Sequence, residues 1–497
     1  MRDERSSADA TTDAAPGWRR WSWLLPPVVL AVFGGWLLSR RYSFWYDELF
    51  TAEMVRVPFG DLVHAVVRGE GTIPYLGDAP PSYNGPYYAV AHLWLLATGL
   101  APDEWGLRLL SLLAAVAAVA AFTLAVGRLA RPDVGLVAGL TVATNPFVIE
   151  YAAEARGYGL ALLATALAAL GLQRWLDDRP RGLLLYGLAG AMAGLAHWFA
   201  LLVLAAFAVA AVCLRGRRAL PLLATSGAAA VPALVVVGMA VANGVGGSGA
   251  EWIADVGLAV PRLLLRSWAS ERLALAVVTV VAAAVGVVAG RRHRRAWVVG
   301  VAWVGLPVAA VSLAELVRPV YVDRYLLPAV LGLAVLVGLG VTAMRGRARG
   351  VAAAAVVVVS AAVTVGAGGQ GPKEDVRGAV AALATLHRPG EPVVAAARWD
   401  ALGVDQYARR EHPVLLADLV LPPAAAPAAP TVWVVRRAEG GVKGDRTRLA
   451  ALDEELAARE MRVAEERRFT GRYADVLLQR WVASSADAGR PRPAPSG

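Results

Sequence analysis

Cysteine and lysine are almost missing from this chain. Cys213 is the one cysteine and lies inside an apolar run, which excludes an intrachain disulfide and a thiolate metal cluster. Lys373 and Lys443 are the only lysines. With so much Ala, Val and Gly, the arginine dominance reads as high-GC coding bias and carries no chemistry by itself. Charged residues make up only 18% of the chain. The sequence also has no internal repeat and no inverted-repeat signature of a transporter. What it does have is apolar residue, 57% of the total, with a mean hydropathy of +0.51 and recurrent apolar runs of spanning length. That pattern is a polytopic membrane protein. The net charge of +10 would suit a nucleic-acid partner, but the arginines cluster in short loops between apolar runs. Those are the positions of topology signals, so no nucleic acid is expected.

Along the chain, residues 1–18 are polar and read as a disordered cytoplasmic N-terminus. Arg19 and Arg20 precede an apolar run over 23–38 that has no cleavage site after it, and so predicts an uncleaved first span. A long loop over 41–104 follows. It holds an amphipathic piece (Leu49 to Val67), the turn-rich GDAPPSYNGP, and a short apolar piece from Tyr87 to Leu100 that reads as juxtamembrane or re-entrant. Further apolar runs fall at 105–128, 133–150, 158–176, 182–197, 198–214, 219–242, 272–290, 296–316, 324–344 and 350–367. With about 11 spans, the basic connections near 128–131, 174–181, 215–218, 291–295 and 345–349 all fall on one side, the cytoplasmic one. The Asp47 loop and the connections 150–157, 243–271 and 317–323 then fall outside. Residues 19–367 form the membrane domain. The tail over 368–484 alternates strand and helix patterns: strands at 392–397, 431–437 and 473–482, helices at 404–410 and 446–459. It reads as a small extracytoplasmic α/β domain, with 485–497 a disordered end. The fold class expected is mainly α: a transmembrane helical bundle with that small C-terminal domain.

Three stretches concentrate polar chemistry on the external side. FWYDELFT (44–51) sets Asp47 and Glu48 in an aromatic collar, where partial desolvation would make a carboxylate a better base. NPFVIEYAAEARGYGL (145–160) gathers Glu150, Glu154, Arg156 and Tyr158 between two apolar runs. RPVYVDRYLLP (318–328) puts Arg324, with Asp323 and Tyr325, at the start of a run. A guanidinium there suits a lipid-linked phosphate, and equally a helix-end arginine that snorkels. In the first loop, Tyr83, Asn84, Tyr87 and Tyr88 offer stacking and hydrogen-bonding surface of the kind sugars use, although by themselves they read better as an ordinary aromatic belt. His197 lacks a His or Cys neighbour at metal spacing, so no metal ligand is assigned.

Taken in order, these stretches resemble the GT-C superfamily of membrane glycosyltransferases, most of all the protein O-mannosyltransferase and aminoarabinose-transferase branch and bacterial glycosyltransferase family 39. The resemblance rests on Asp47-Glu48, the stretch Pro80 to Tyr88, Glu154-Ala-Arg156-Gly-Tyr158 and Arg324-Tyr325-Leu-Leu-Pro328, with KEDVRGAVAAL (373–383) after the last span. It covers most of 20–385. Two departures stand out: Val376 replaces a Trp, and Ala79 stands where many relatives have a His before the Pro-Pro pair. No role of that His carries over, and a divalent metal is left open as a cofactor.

The resemblance implies inverting transfer of a sugar from a polyprenyl-phosphate donor to a hydroxyl of a glycan, lipid or protein acceptor, mannosyltransferase-like, on the outer face of the cell membrane. Asp47 would be the general base, with Glu48 beside it in the catalytic pair. Tyr83, Asn84, Tyr88, Glu154, Arg156, Tyr158, Arg324 and Tyr325 would bind substrate, Arg324 through the donor phosphate. Two other classes compete: a lipid-linked sugar transporter or flippase, which predicts charges buried mid-span, and a non-catalytic assembly protein, which predicts no effect of Asp47→Asn.

Overall fold

The computed structural model describes residues 21–76, 81, 84–244, 253–422, 426–438 and 443–484. The two ends expected to be disordered, 1–18 and 485–497, lie outside the described residues, as do Ala79, Pro80 and Tyr83. In chain order the helices are α1 (Leu25–Ser39), α2 (Tyr46–Met54), α3 (Phe59–Arg68), α4 (Gly85–Thr98), α5 (Glu104–Leu129), α6 (Pro132–Ala143), α7 (Pro146–Ala152), α8 (Tyr158–Leu176), α9 (Gly182–Ala196), α10 (Ala200–Arg215), α11 (Leu220–Ala242), α12 (Val260–Trp268), α13 (Leu273–Ala289), α14 (Arg294–Glu315), α15 (Leu327–Ala343), α16 (Gly346–Gly368), α17 (Val376–Leu386), α18 (Arg398–Glu411) and α19 (Lys443–Ala458). The strands are β1 (Val393–Ala395), β2 (Leu419–Val420), β3 (Thr431–Arg437), β4 (Met461–Phe469) and β5 (Val476–Ala483).

Every apolar run expected from the sequence is helical. Among the described residues, seven helical segments are long and apolar enough to cross a membrane, or eight if the bent pair α6 and α7 is one span. Two of the seven, Ala200–Ala242 and Leu273–Glu315, are 43 residues long. A straight helix of that length would reach about 65 Å, twice a bilayer's apolar thickness. Each is interrupted by a one-turn 3₁₀ segment carrying arginines, Gly216–Ala219 and Gly290–His293. The segment expected as one run over 133–150 is broken instead: α6 and α7 meet at 68°. The cause is local. Pro146 opens α7, and the Asn145 side chain accepts from the Val148 amide at 3.2 Å while donating to the Trp268 carbonyl at 2.9 Å. An amide that caps one helix and ties down another loop fixes the bend. The amphipathic piece expected over 49–67 is likewise two helices, α2 and α3, parted near Pro58.

Small residues bring the spans close. A Cβ on Gly340 of α15 would lie 1.8 Å from the Ala282 carbonyl oxygen of α13, and one on Gly286 1.9 Å from that of Leu336. Backbone contact of this kind needs glycine. The basic connections meet at one end of the bundle. Arg215 pairs with Asp178 at 2.7 Å, Arg295 with Asp177 at 2.6 Å, and Arg349 with Asp133 at 2.5 Å. The Asp47 stretch lies at the other end, beside the first turns of α5, α8 and α15.

The five strands form one sheet in the order β2-β1-β3-β5-β4, with β2, β1 and β3 parallel and β3, β5 and β4 antiparallel. Side chains alternate between faces. Val393, Trp433, Val435 and Leu478 join a core shared with Phe44, Leu49, Tyr87, Val376 and Tyr407, whereas Val394, Val432 and Val434 pack against Leu452 and Leu456 of α19. The tail is thus welded to the first loop through one apolar core. Strand β4 (MRVAEERRF) escapes sequence reading because it is an edge strand with most residues exposed. Charge on an edge blunts unwanted strand pairing.

Candidate active site

Four parts of the chain meet around Asp47: the start of α2, the 153–157 turn, the 3₁₀ turn Asp323–Leu326 and the first segment of the tail. Asp47 occupies the first turn of α2, which starts after the extended residue Trp45. Its Oδ2 lies 3.6 Å from Arg324 Nη2, with the two side chains 15% and 10% exposed. That distance makes an ion pair and not a hydrogen bond. The guanidinium is packed against the rings of Trp45 at 5.3 Å and Tyr325 at 5.8 Å. Arg156 donates to Tyr88 Oη at 2.8 Å and to the Asp47 carbonyl at 3.4 Å. Asp47, Tyr88, Arg156 and Arg324 are therefore one group. Tyr158 and Tyr325 stand behind it, both against the His197 ring, at 5.7 and 5.1 Å. Burial and the two nearby guanidiniums, Arg156 and Arg324, hold His197 down at about 3, so this imidazole is neutral packing. Asn84 sits at the N-cap of α4 with no side-chain cap, and no interaction joins it to this group among the described residues. Tyr83 lies outside them.

Glu48 is separated from its neighbour. Arg108 of α5 grips it in a bidentate contact, Nε to Oε1 at 2.7 Å and Nη2 to Oε2 at 2.6 Å. The Ala155 amide adds a third donor at 2.8 Å. Arg108 also donates to the carbonyls of Tyr42 and Ser43. With its oxygens so engaged, Glu48 is a strut between α2, α5 and the 153–157 turn. Glu154 is similarly held: Trp45 Nε1 donates to Oε1 at 3.0 Å and Lys373 Nζ to Oε2 at 2.8 Å. Burial pushes the Glu154 carboxyl up, to about 7, while Lys373 pulls the other way. Burial also works against the Lys373 ammonium, but Glu154 and Glu150 outweigh it and hold it above its ordinary range.

Sequence reading missed Arg108 and the tail's contribution. Lys373 reaches Glu150 at 3.2 Å as well as Glu154, and lies over the rings of Trp45, Tyr151 and Tyr473 at 4.4, 4.7 and 4.9 Å. Arg472 pairs with Glu150 at 3.3 Å. Arg437 of β3 pairs with Glu374 at 3.1 Å and lies 5.1 Å over Tyr46. A cavity of about 50 Å³ lined by Glu48, Arg108, Glu150, Glu154, Lys373 and Arg472 lies behind Trp45, space for water and not for a sugar. These carboxylates already have cationic partners, a donor set that does not fit a divalent ion. Among the described residues no three His, Cys, Asp or Glu side chains form a metal-binding group.

No protein-family model matches the chain, and no curated protein matches it in sequence. Its fold does have solved counterparts. ArnT from Cupriavidus metallidurans in the apo state superposes with a TM-score of 0.55 at 14% identity, covering 94% of this chain and 98% of that one. The same protein bound to undecaprenyl phosphate gives 0.54 at the same identity and coverage. The Archaeoglobus fulgidus oligosaccharyltransferase in the apo form gives 0.53 at 10% identity, over 88% of this chain and 71% of that one. The chain therefore shares the fold of ArnT and of the oligosaccharyltransferase. At these identities the likeness is one of architecture. The shared fold takes in the helical bundle and the C-terminal sheet together, in keeping with the apolar core that joins them.

Proposed function

We propose that this membrane protein is a glycosyltransferase that moves a sugar from a lipid-linked phosphate donor to an acceptor hydroxyl. The observation that carries the reading is the Asp47–Arg324 pair, a carboxylate and a guanidinium brought together from distant turns at 3.6 Å. The undecaprenyl phosphate named for one solved counterpart agrees with the donor class. Asp47 accepts the proton of the attacking hydroxyl as that oxygen bonds to the sugar's anomeric carbon. The bond from that carbon to the phosphate oxygen breaks, and the electron pair leaves with the lipid phosphate. Arg324 meets the charge gathering there with its planar fork. Because Arg324 also faces Asp47, a phosphate that engages the guanidinium draws positive charge away from the carboxylate and strengthens it as a base. Arg156 and Tyr88 orient the acceptor side, and Glu48, through Arg108, sets the pitch of α2. Displacement from the face opposite the leaving group inverts the sugar. Polyprenyl phosphate is the expected carrier and mannose the expected sugar type.

The basic end is assigned to the cytoplasm and the Asp47 end to the outer face. Cysteine placed at exposed Asp61 and at exposed Arg217, in a Cys213→Ala background, should label from opposite sides of sealed vesicles. Activity is tested by transfer from radiolabelled polyprenyl-phosphate sugars by purified wild type and Asp47→Asn. The variant should lose about 10²- to 10⁴-fold. Equal transfer by both would remove Asp47 as the base, and no transfer by either would favour the assembly-protein alternative.

A further inference from the structure

A second polar site lies at the far end of the bundle from Asp47. Three turns, between α5 and α6, α13 and α14, and α15 and α16, surround a cavity of about 560 Å³. That is the size of a small-molecule pocket. Arg131, Arg292, Arg345 and Arg349 line it together with His293. One carboxylate answers them: Asp133 takes both Arg131, at 2.7 Å, and Arg349, at 2.5 Å. Arg292 and Arg345 are exposed and make no ion pair among the described residues. A further source of positive potential is the N-terminus of the 23-residue helix α16. Its N-cap, Arg345, supplies no side-chain acceptor, and Gly346 of its first turn lines the cavity. Unsatisfied amides at a helix start attract anions. Apart from Thr342, whose hydroxyl donates to the Gly338 carbonyl, the remaining wall is apolar, made by Ala289, Leu339, Ala343 and Met344 at the ends of α13 and α15.

We propose that this cavity binds a phosphate group, and that its apolar wall makes an anionic phospholipid headgroup the carrier. Two uncompensated guanidiniums and a helix N-terminus converge on a space half bounded by helix ends that would sit at the level of the lipid headgroups. Basic pockets between spanning helices recognise phosphate headgroups in this way. The site is separate from the Asp47 group and does not depend on sugar transfer, so the two readings fail independently.

The test measures binding of phosphatidylglycerol, phosphatidylcholine and inorganic phosphate to the purified full-length chain in detergent, by native mass spectrometry and by thermal shift. Two variants are compared: Arg292→Gln with Arg345→Gln, and the control Arg217→Gln with Arg218→Gln, which removes the same charge from an exposed turn at the same end. The first pair should weaken phosphatidylglycerol binding about tenfold or more, the control pair less than about threefold. Phosphatidylcholine should bind no more tightly to wild type than to either variant. Inorganic phosphate that stabilises wild type but not the first variant, with no lipid effect, would keep the phosphate site and reassign its carrier to the free ion. An equal loss in both variants, or no loss in the first, would overturn the proposal, because attraction would then come from the net charge of the whole end.

Discussion

The two ends of the helical bundle both carry many charges and treat them in opposite ways. At the basic end the arginines sit on short turns, largely in water, and pair with aspartates that are themselves partly exposed, as Arg131 and Arg349 do with Asp133. At the Asp47 end the charges are buried and almost all assigned: Glu48 to Arg108, Glu154 and Glu150 to Lys373, Glu374 to Arg437. Exposed pairs are typically worth about 0–1 kcal/mol. Buried ones cost several kcal/mol when half is removed. The number of charges therefore does not mark the candidate active site. Its mark is the desolvated scaffold, which holds Asp47 and Arg324 facing each other at 3.6 Å, beyond hydrogen-bonding distance.

The sharpest way to break this comparison is to cut one member of a buried pair. Arg108→Ala leaves Glu48 with its charge and without its main partner, and should lower stability by about 3–5 kcal/mol, read as the denaturant midpoint of the purified protein. If it behaves like an exposed turn arginine, the contrast between the ends collapses. A smaller effect is expected from packing. Gly340→Ala forces a Cβ against the Ala282 carbonyl and should cost about 1–3 kcal/mol by separating α13 from α15. A subtler test uses pH. Because the Glu154 carboxyl is raised from 4.5 to about 7 in the folded state, the folded chain holds more protons than the unfolded one in that window. Its stabilising share is complete below about pH 4.5 and is lost as pH rises toward 7. Glu154→Gln should flatten the melting temperature against pH across that window and leave its slope against pH unchanged outside it. At the low end of the scale, Arg217→Gln with Arg218→Gln should leave the melting temperature where it is.

Much of this was legible in the residues. Apolar runs fixed by composition became helices because a helix satisfies its own backbone in lipid. The Arg-rich connections lie at one end, as the parity of the runs requires. Strand β3 was legible to the residue in TVWVVRR because a short run of β-branched and aromatic residues is bounded by Pro430 on one side and ends in two arginines. What escaped was long-range. The break at Asn145 depends on a carbonyl from Trp268, far along the chain. Arg108 reads as one charge in an apolar helix until α2 delivers Glu48 to it. Lys373 offered a signal in composition, as one of two lysines among many arginines, but its work depends on a tail that folds back onto the first loop. A compact ammonium fits among three aromatic rings and two carboxylates where a planar guanidinium fits less well. Of the residues expected at the site, Asp47, Tyr88, Arg156 and Arg324 are brought together, Glu48 and Glu154 are drawn into the supporting network, and Asn84 stands apart.

The most direct test separates the two halves of the Asp47–Arg324 pair kinetically, using a polyprenyl-phosphate sugar and the purified chain. Asp47→Asn should lower kcat with little change in the donor KM, because a base acts on the proton that moves in the transition state. Arg324→Gln should raise the donor KM, because it removes a contact to the phosphate that is present before and during the reaction. Both variants shifting kcat and KM in the same proportion, or neither shifting either, would contradict a centre divided between a base and a phosphate clamp.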